Sequence, residues 1–367
     1  MEISHEIVGP GLVAPCFRYD PGPPQLVQVP GASAGTWVLV LKRWRAVHAA
    51  LQNSSIRDLG AEGLDPYALA GVTYQRRHGL LRRSDSAARK LLNPVWRRTN
   101  AEALRPAIRE LARRCAAEVR DELIGEFVGP YIHAVTRLVT GLGDEDTAGL
   151  HALSDQTTGA LIFRPGDRVP VLDAWDRLYD LTYSVNYGTD SLIGHSIRAM
   201  QEARVPADEA HEVITTVYNG LPTVRPAMIR VLERMLGTGP ILASCAVNPE
   251  LLRSAVSNAL RTSAHFTFAL PGMATASHNL DGVACPAGTV VLPVIHAAHN
   301  DPSLPRLMHM AWGAGQHACL GRYLATVILE EGLAAIAAHP PQLAVHPDEL
   351  DWEQGTMPVP VALPVSW

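Results

Sequence analysis

The stretch Trp312-Gly313-Ala314-Gly315-Gln316-His317-Ala318-Cys319-Leu320-Gly321 decides the fold, because it sets one cysteine in a glycine-rich loop directly before an apolar helix. Residues 322–336 carry the periodicity of that helix. Backbone N–H groups at a helix N-terminus favour an anion, and so does a bound cation. The loop therefore predicts that Cys319 presents a thiolate sulfur to an iron.

The other residues of the loop suit the same purpose. Gly313 and Gly315 permit a tight turn with left-handed backbone angles. Gly321 has no side chain, so a flat macrocycle can lie close to the backbone, and His317 offers an N–H donor to a carboxylate at the edge of that macrocycle. The alternative for the cysteine alone is a buried structural thiol in a glycine-rich turn, because free cysteines are commonly buried.

This string resembles the cysteine-ligand loop of the cytochrome P450 family, which usually reads Phe-Gly-x-Gly-x-His-x-Cys-x-Gly. Every fixed position matches except the first, where Trp312 replaces phenylalanine. Further segments also resemble the family, namely residues 284–291, Ala103-Leu104-Arg105-Pro106, His299-Asn300-Asp301-Pro302 and the closing Leu-Pro-Val-x-Trp. The resemblance implies haem b held by Cys319, with the cofactor-binding loop formed by Trp312, Gly313, Gly315, His317 and Gly321.

The resemblance also points to an oxygen-side groove at Asn219-Gly220-Leu221-Pro222-Thr223, where the family usually reads Ala-Gly-x-acid-Thr. Gly220 and Thr223 are retained as expected catalytic residues. In the family that threonine hydroxyl helps to hold oxygen and to pass protons to it. The alternative is a helix threonine that bonds its own backbone four residues back.

Pro222 stands where the family carries the acid. A proline inside a helix removes one backbone hydrogen bond and kinks the axis. The carbonyl of Tyr218 is then expected to lose its usual partner, and a water held there could replace the missing acid as a proton path.

Two further family features are altered. The Glu-x-x-Arg signature aligns with Asn258-Ala259-Leu260-Arg261, so the arginine survives and the glutamate does not. Of the four groups that usually bind haem propionates in the family, two remain, Arg89 and His317. Asp85 replaces a histidine, and the last arginine is lost because its position is occupied by Pro271 or Gly272. The alternative for Arg89 is a solvated basic face shared with Arg82, Arg83, Lys90, Arg97 and Arg98, and such a face would suit an acidic ferredoxin.

Composition narrows the remaining classes. The chain has 367 residues, is 47% hydrophobic and carries a net charge of −5, which argues against nucleic acid as its main partner. Its 5 cysteines are scattered without a Cys-x-x-Cys pair, as expected in a reducing cytoplasm and not in a disulfide framework or zinc site. We find no signal peptide and no membrane span in the sequence, and expect a cytoplasmic protein.

The expected fold is mainly α with small β-sheets, a somewhat truncated cytochrome P450 fold formed by a single domain over residues 1–367. The pattern predicts a hairpin over 24–42 and helices over most of 44–236, with loops near 54–66, 141–147 and 164–169. Residues 205–236 read as one long helix and 248–260 as another, and 266–292 read as strands.

Two functions follow as hypotheses. The first is a haem-thiolate monooxygenase that takes electrons from NAD(P)H through a reductase and ferredoxin. It would hydroxylate, epoxidise or cross-link a large natural-product intermediate, with a peptide among the candidate substrates. The second is a catalytically degenerate helper or scaffold for another biosynthetic enzyme. The lost glutamate, acid and propionate arginine favour the second, and the intact ligand loop favours the first.

Overall fold

The computed structural model describes most of the chain, and the text below concerns only those residues. They are 25–28, 37–58, 87–158, 168–184, 187–263, 266, 269, 272–280, 282–306, 308–315, 318–353 and 357–367.

The helices dominate the described residues, as the sequence predicts. The first seven are α1 Trp44–Gln52, α2 Ala87–Leu92, α3 Arg98–Ala116, α4 Gly129–Thr140, α5 Asp144–Thr158, α6 Arg168–Ser184 and α7 Leu192–Glu202. The remaining six are α8 Ala207–Gly220, α9 Val224–Leu236, α10 Pro240–Cys245, α11 Pro249–Thr262, α12 Ile295–His299 and α13 Arg322–Ala337. A π-helical turn, Ile124–Val128, leads into α4.

The strands are short. They are β1 Gln25–Gln28, β2 Trp37–Leu41, β3 Ile56–Asp58, β4 Gly272–Ala274, β5 His278–Leu280, β6 Val283–Cys285, β7 Val290–Pro293, β8 Gln342–Leu343, β9 Trp352–Glu353, β10 Val359–Pro360 and β11 Val365–Ser366. One five-stranded sheet has the order β1-β2-β7-β4-β3, and the pairs β5-β6, β9-β10 and β8-β11 form small separate ribbons. A mainly helical fold with small sheets is therefore confirmed.

The N-terminal hairpin is present, since β1 pairs antiparallel with β2 in the register Gln25↔Val40. β2 then pairs parallel with β7, which joins the hairpin to the strands that precede the cysteine loop. The prediction of a loop near 54–66 is wrong at its start, where β3 pairs with β4. Local turn signals mark that segment, but the pairing partner lies more than 200 residues away.

α13 lies at the centre of the main core. Leu329 and Leu333 are fully buried, and Val327, Ile328 and Ile336 are nearly so. A helix that is apolar on all sides is expected to be buried, and α13 packs against α3, α9, α10 and α11. This packing buries most of α13 from Leu324 to Ala337, and the cysteine loop lies at the N-terminal end of that helix.

The prediction of one continuous helix over 205–236 is wrong, because α8 ends at Gly220 and α9 begins at Val224. Pro222, itself buried, lies in the break. A proline has no N–H to donate to the preceding turn, and its ring clashes with the carbonyl four residues back. The interruption therefore falls at the position where the sequence predicts a kink.

Candidate functional site

The cysteine loop turns through two glycines with left-handed backbone angles. Gly313 has φ 67° and Gly315 has φ 62°, as predicted for both positions. A Cβ on Gly315 would lie 2.7 Å from the Leu51 carbonyl oxygen and 2.7 Å from Gln52 Cα, at the C-terminal end of α1. Since real Cβ atoms do not approach so closely, a side chain at Gly315 would push the loop away from α1.

Backbone hydrogen bonds hold Cys319 at the start of α13. Its N–H donates to the Trp312 carbonyl at 2.7 Å, which closes the loop on itself. Gly321 is the cap residue of α13, and the Arg322 N–H donates to the Cys319 carbonyl at 3.4 Å. The Gly321 and Arg322 amides lie near the Cys319 thiol and favour its thiolate form. The sulfur therefore lies at the positive end of a helix, as the sequence predicts.

The surroundings of the thiol indicate a cavity. Cys319 is accessible, yet burial among protein atoms raises the pKa of its thiol. The Gly321 and Arg322 amides and the Arg89 and Arg322 guanidiniums lower the same pKa in part, but the balance remains raised. An accessible group that is enclosed by protein faces an internal space, and a cation bound to sulfur would supply the stabilisation that the thiolate still lacks.

Arg89 reaches the loop from α2. Its Nη2 donates to the Ala318 carbonyl at 2.6 Å, one residue before the cysteine. The neighbouring basic residues Lys90, Arg97 and Arg98 are exposed. Arg89 is thus brought to the ligand loop, whereas those three form a solvated face. His317, Asp85, Arg82 and Arg83 lie outside the described residues.

The expected catalytic pair lies at the break between α8 and α9. The Thr223 hydroxyl donates to the Gly220 carbonyl at 2.6 Å, a backbone bond three residues back where the alternative reading expected four. Gly220 is exposed, and a Cβ added there would meet nothing within 4 Å. Gly220 therefore borders open space, while the threonine hydroxyl is held by its own backbone.

The water path predicted at the Tyr218 carbonyl is wrong. That carbonyl accepts the Leu221 N–H at 3.2 Å. A tighter bond spanning three residues replaces the one that Pro222 cannot donate, as often happens where an α-helix ends. The Pro222 carbonyl in turn accepts the Arg225 N–H at 2.9 Å, so the break is internally bonded.

The sequence did not point to the polar side chains of α5 that face this break. Ser154 is fully buried, and its hydroxyl lies 3.0 Å from Asn219 Oδ1 and 3.1 Å from the Asn219 carbonyl. Asp155 Oδ2 lies 3.4 Å from Arg225 Nη1 on the other side of the break. Burial raises the pKa of the Asp155 carboxyl and Arg225 lowers it in part, leaving it raised. No local pattern marks these residues.

The altered Glu-x-x-Arg signature lies on α11, where its arginine has a buried nitrogen without a hydrogen-bond acceptor among the described residues. Arg261 Nε is buried, and no acceptor among the described residues lies within hydrogen-bonding distance of it. The position aligned with the family glutamate is Asn258, whose carbonyl accepts the Thr262 hydroxyl at 2.9 Å.

Comparisons with known proteins identify similar sequences and structures. No family model matches the chain. Luteothin monooxygenase of Streptomyces thioluteus is 27% identical over 62% of this chain and 62% of its own length. Mycocyclosin synthase of Mycobacterium tuberculosis is 26% identical over 71% of this chain and 73% of its own. The chain spans only 62% of the length of luteothin monooxygenase and 40% of the length of another curated relative.

Solved structures share the fold almost end to end. The crystal structure of CYP105P1 in complex with filipin I superposes with a TM-score of 0.80 and 22% identity, over 96% of this chain and 97% of that one. The chain is similar in sequence to bacterial cytochrome P450 proteins and has their helical fold. This similarity implies a thiolate-ligated haem. The residues present fit this group, since an enclosed and accessible sulfur beside two backbone amides that favour its thiolate form is suited to one iron.

In the part of the chain that the structure describes, no helix is long and apolar enough to cross a membrane.

Proposed function

We propose that the chain is a haem-thiolate monooxygenase that oxidises a large natural-product intermediate. The observation that carries the proposal is the position of the Cys319 thiol at the head of a buried helix, where the Gly321 and Arg322 amides favour its thiolate form. Oxygen activation is the chemistry that a thiolate-ligated haem supplies when bound, because electron donation from the thiolate favours O–O cleavage. The intact ligand position supports this function over that of a helper protein.

The residues have separate tasks in this proposal. Cys319 is the iron ligand, and the loop residues Trp312, Gly313, Gly315 and Gly321 give the sulfur its place. Arg89 and His317 bind the propionates, Arg89 while it braces the loop through Ala318. Gly220 leaves room on the oxygen side. Thr223, whose hydroxyl donates to the Gly220 carbonyl in this structure, passes protons on that side.

The substrate class rests on the relatives. Two of them carry the names luteothin monooxygenase and mycocyclosin synthase, and a structural neighbour was solved with filipin I. We therefore place the substrate among natural-product intermediates, peptides included, and the reaction among hydroxylation, epoxidation and cross-linking. Electrons come from NAD(P)H through a reductase and a ferredoxin that docks on the exposed Lys90, Arg97 and Arg98. The protein acts in the cytoplasm as one domain over residues 1–367.

The test is the reduced carbon-monoxide difference spectrum of the purified protein. The wild type should give the thiolate-type band, and Cys319→Ser should lose both that band and oxygenation, because serine lacks the soft sulfur donor. Cys115→Ser is the matched control, since Cys115 is a half-buried thiol on α3 and should leave the band intact. A band that survives in Cys319→Ser would refute Cys319 as the iron ligand. A wild type without any band would favour the alternative that the chain is a helper protein.

A further inference from the structure

A cluster of charges lies buried between α3 and α13. Glu330 and Glu331 of α13 are only 5% and 4% exposed. Arg105 of α3 reaches both, with Nη2 2.8 Å from Glu330 Oε2 and Nη1 2.7 Å from Glu331 Oε1. Arg109, one turn further along α3, places Nε 2.8 Å from Glu331 Oε2, and Glu102 pairs with Arg105 at 2.6 Å.

The surroundings of Glu331 favour its charged form. Burial raises the pKa of Glu331, but the hydrogen bonds and charges of Arg109 and Arg105 outweigh it and hold that pKa below its ordinary value. A buried ion pair of this kind adds little net stability compared with apolar packing, because desolvation offsets most of the attraction. Its geometry is strict, however, since forked guanidinium–carboxylate pairs tolerate little displacement. The cluster is therefore better suited to fixing a position than to adding stability.

A second contact holds the chain directly before α13. Arg89 of α2 donates to the Ala318 carbonyl directly before the first turn of α13. The short segment 93–97 joins α2 to α3, so the two contacts belong to one continuous stretch of chain. Glu330 and Glu331 lie near the middle of α13, roughly 18 Å beyond Cys319 at about 1.5 Å per residue. The chain is thus held directly before α13 and again near the middle of that helix.

The register of α13 matters because its first turn holds the sulfur. The Arg322 amide donates to the Cys319 carbonyl at 3.4 Å, and the Gly321 and Arg322 amides favour the thiolate, so a slide or rotation of the helix moves these amides and the cysteine together. Hydrogen bonds weaken steeply beyond their normal distance range. α11 also packs against α13, but its buried Arg261 Nε has no acceptor among the described residues, so no comparable anchor is seen on that side.

We propose that Arg105 and Arg109 are positioning residues that, through Glu330 and Glu331, set the register of α13 and thereby the place of the Cys319 sulfur at the iron. The proposal rests on the haem-thiolate function proposed above.

The experiment compares the haem-loaded wild type with variants in which one partner of the ion pair is replaced by a neutral glutamine. In Glu331→Gln and in Arg109→Gln, the thiolate-type carbon-monoxide band should be lost at a fixed temperature about tenfold faster than in the wild type, the equivalent of about 1.4 kcal/mol. Amide hydrogens of residues 319–326 should exchange faster, while those of α7 should not change. Arg109→Gln replaces a half-exposed arginine, so this variant should still fold if Glu331→Gln does not.

Asp144→Asn is the matched control, because it removes an exposed carboxylate that pairs with His133 and Arg137. It should leave both readings unchanged. In the Arg109→Gln/Glu331→Gln double variant, the band should be lost no faster than in the worse single variant. Both substitutions remove the same contact between Arg109 and Glu331. Unchanged band lifetime and unchanged exchange at 319–326 in Glu331→Gln, with only a lower Tm, would show a purely stabilising cluster. A wild type without the thiolate-type band would instead refute the proposed function.

Discussion

At the residue scale, the chemistry of the sulfur depends on a few short contacts. The Cys319 N–H donates to the Trp312 carbonyl, the Gly321 and Arg322 amides favour the thiolate, and Arg89 donates to the carbonyl of the residue before the cysteine. All but one of these partners lie within ten positions of the cysteine. Arg89 is the long-range member, and its role was predicted from a resemblance of motif and not from any local pattern.

Replacing Arg89 should loosen the ligand loop. Arg89→Ala removes the guanidinium that donates to the Ala318 carbonyl, and a hydrogen bond from a charged group is worth about 1.5–3 kcal/mol. We expect haem transfer to an acceptor protein to be roughly tenfold faster, with Arg89→Lys intermediate because one charged donor remains. Arg98→Ala, an exposed arginine at the start of α3, is the control. Equal transfer rates for Arg89→Ala and wild type would remove Arg89 from the haem site.

Thr223 should affect the coupling of electron use to product and leave haem binding intact. Thr223→Ala removes the hydroxyl that we assign to proton transfer. We expect normal haem content, a lower ratio of product to NAD(P)H consumed, and more peroxide. Thr216→Ala is a close control, because its hydroxyl donates to the Glu212 carbonyl at 2.9 Å in the same helix, α8. Full coupling in Thr223→Ala would show that the hydroxyl only bonds the Gly220 carbonyl.

At the scale of elements, the break between α8 and α9 replaces a continuous helix. Pro222 causes it, but contacts from α5 hold it in its observed form. Ser154 binds Asn219 on one side and Asp155 approaches Arg225 on the other. The open space beside Gly220 therefore depends on a helix that lies about 65 residues earlier in the chain.

Ser154→Ala should destabilise this junction. The variant removes a fully buried hydroxyl that donates to Asn219, and the loss of such a bond costs about 1 kcal/mol. We expect a Tm lower by about 2–4 °C and faster amide exchange at residues 219–225. Ser244→Ala, an exposed serine whose hydroxyl donates to the Pro240 carbonyl at 2.8 Å, should do neither. An unchanged Tm together with unchanged exchange would show that α5 does not support the break.

At the scale of the whole molecule, stability should depend on pH through a histidine between α4 and α5. Burial, together with the neighbouring charges of His133 and Arg225, lowers the pKa of His151 to about 4. Its Nε2 lies 3.0 Å from Thr136 Oγ1. Because the unfolded chain binds this proton below pH of about 6.5 and the folded chain does not, stability is lost as the pH falls from about 6.5 towards 4.

His151→Gln should flatten that dependence. Glutamine can still bond to Thr136 but does not titrate, so the variant should lack a loss on the order of 3 kcal/mol between pH 6.5 and 4. Denaturant unfolding at several pH values measures the slope. His346→Gln, at an exposed histidine, should keep the wild-type slope. Parallel curves for wild type and His151→Gln would assign the pH dependence to other groups.

The family, the helical class and the ligand loop could be predicted because their signals are local. Positive φ angles need glycine at Gly313 and Gly315, and a buried helix needs the apolar run that follows Cys319. The prediction failed where the outcome depends on distant partners. The Tyr218 carbonyl was expected to be open, but the chain closes a tighter bond from Leu221. A proline pattern indicates that a helix is disturbed, but not which bonds replace the lost one.

The sequence by itself therefore determined the nature of the site: one cysteine, its glycines and the helix behind it. Only the tertiary structure decided how that site is held. Arg105 meets Glu331 across 226 positions, Arg89 meets Ala318 across 229, and Ser154 meets Asn219 across 65. The physical reason is range. Backbone angles and helix propensity act between neighbours in the chain, whereas buried ion pairs and hydrogen bonds form only after packing has brought distant helices within about 3 Å.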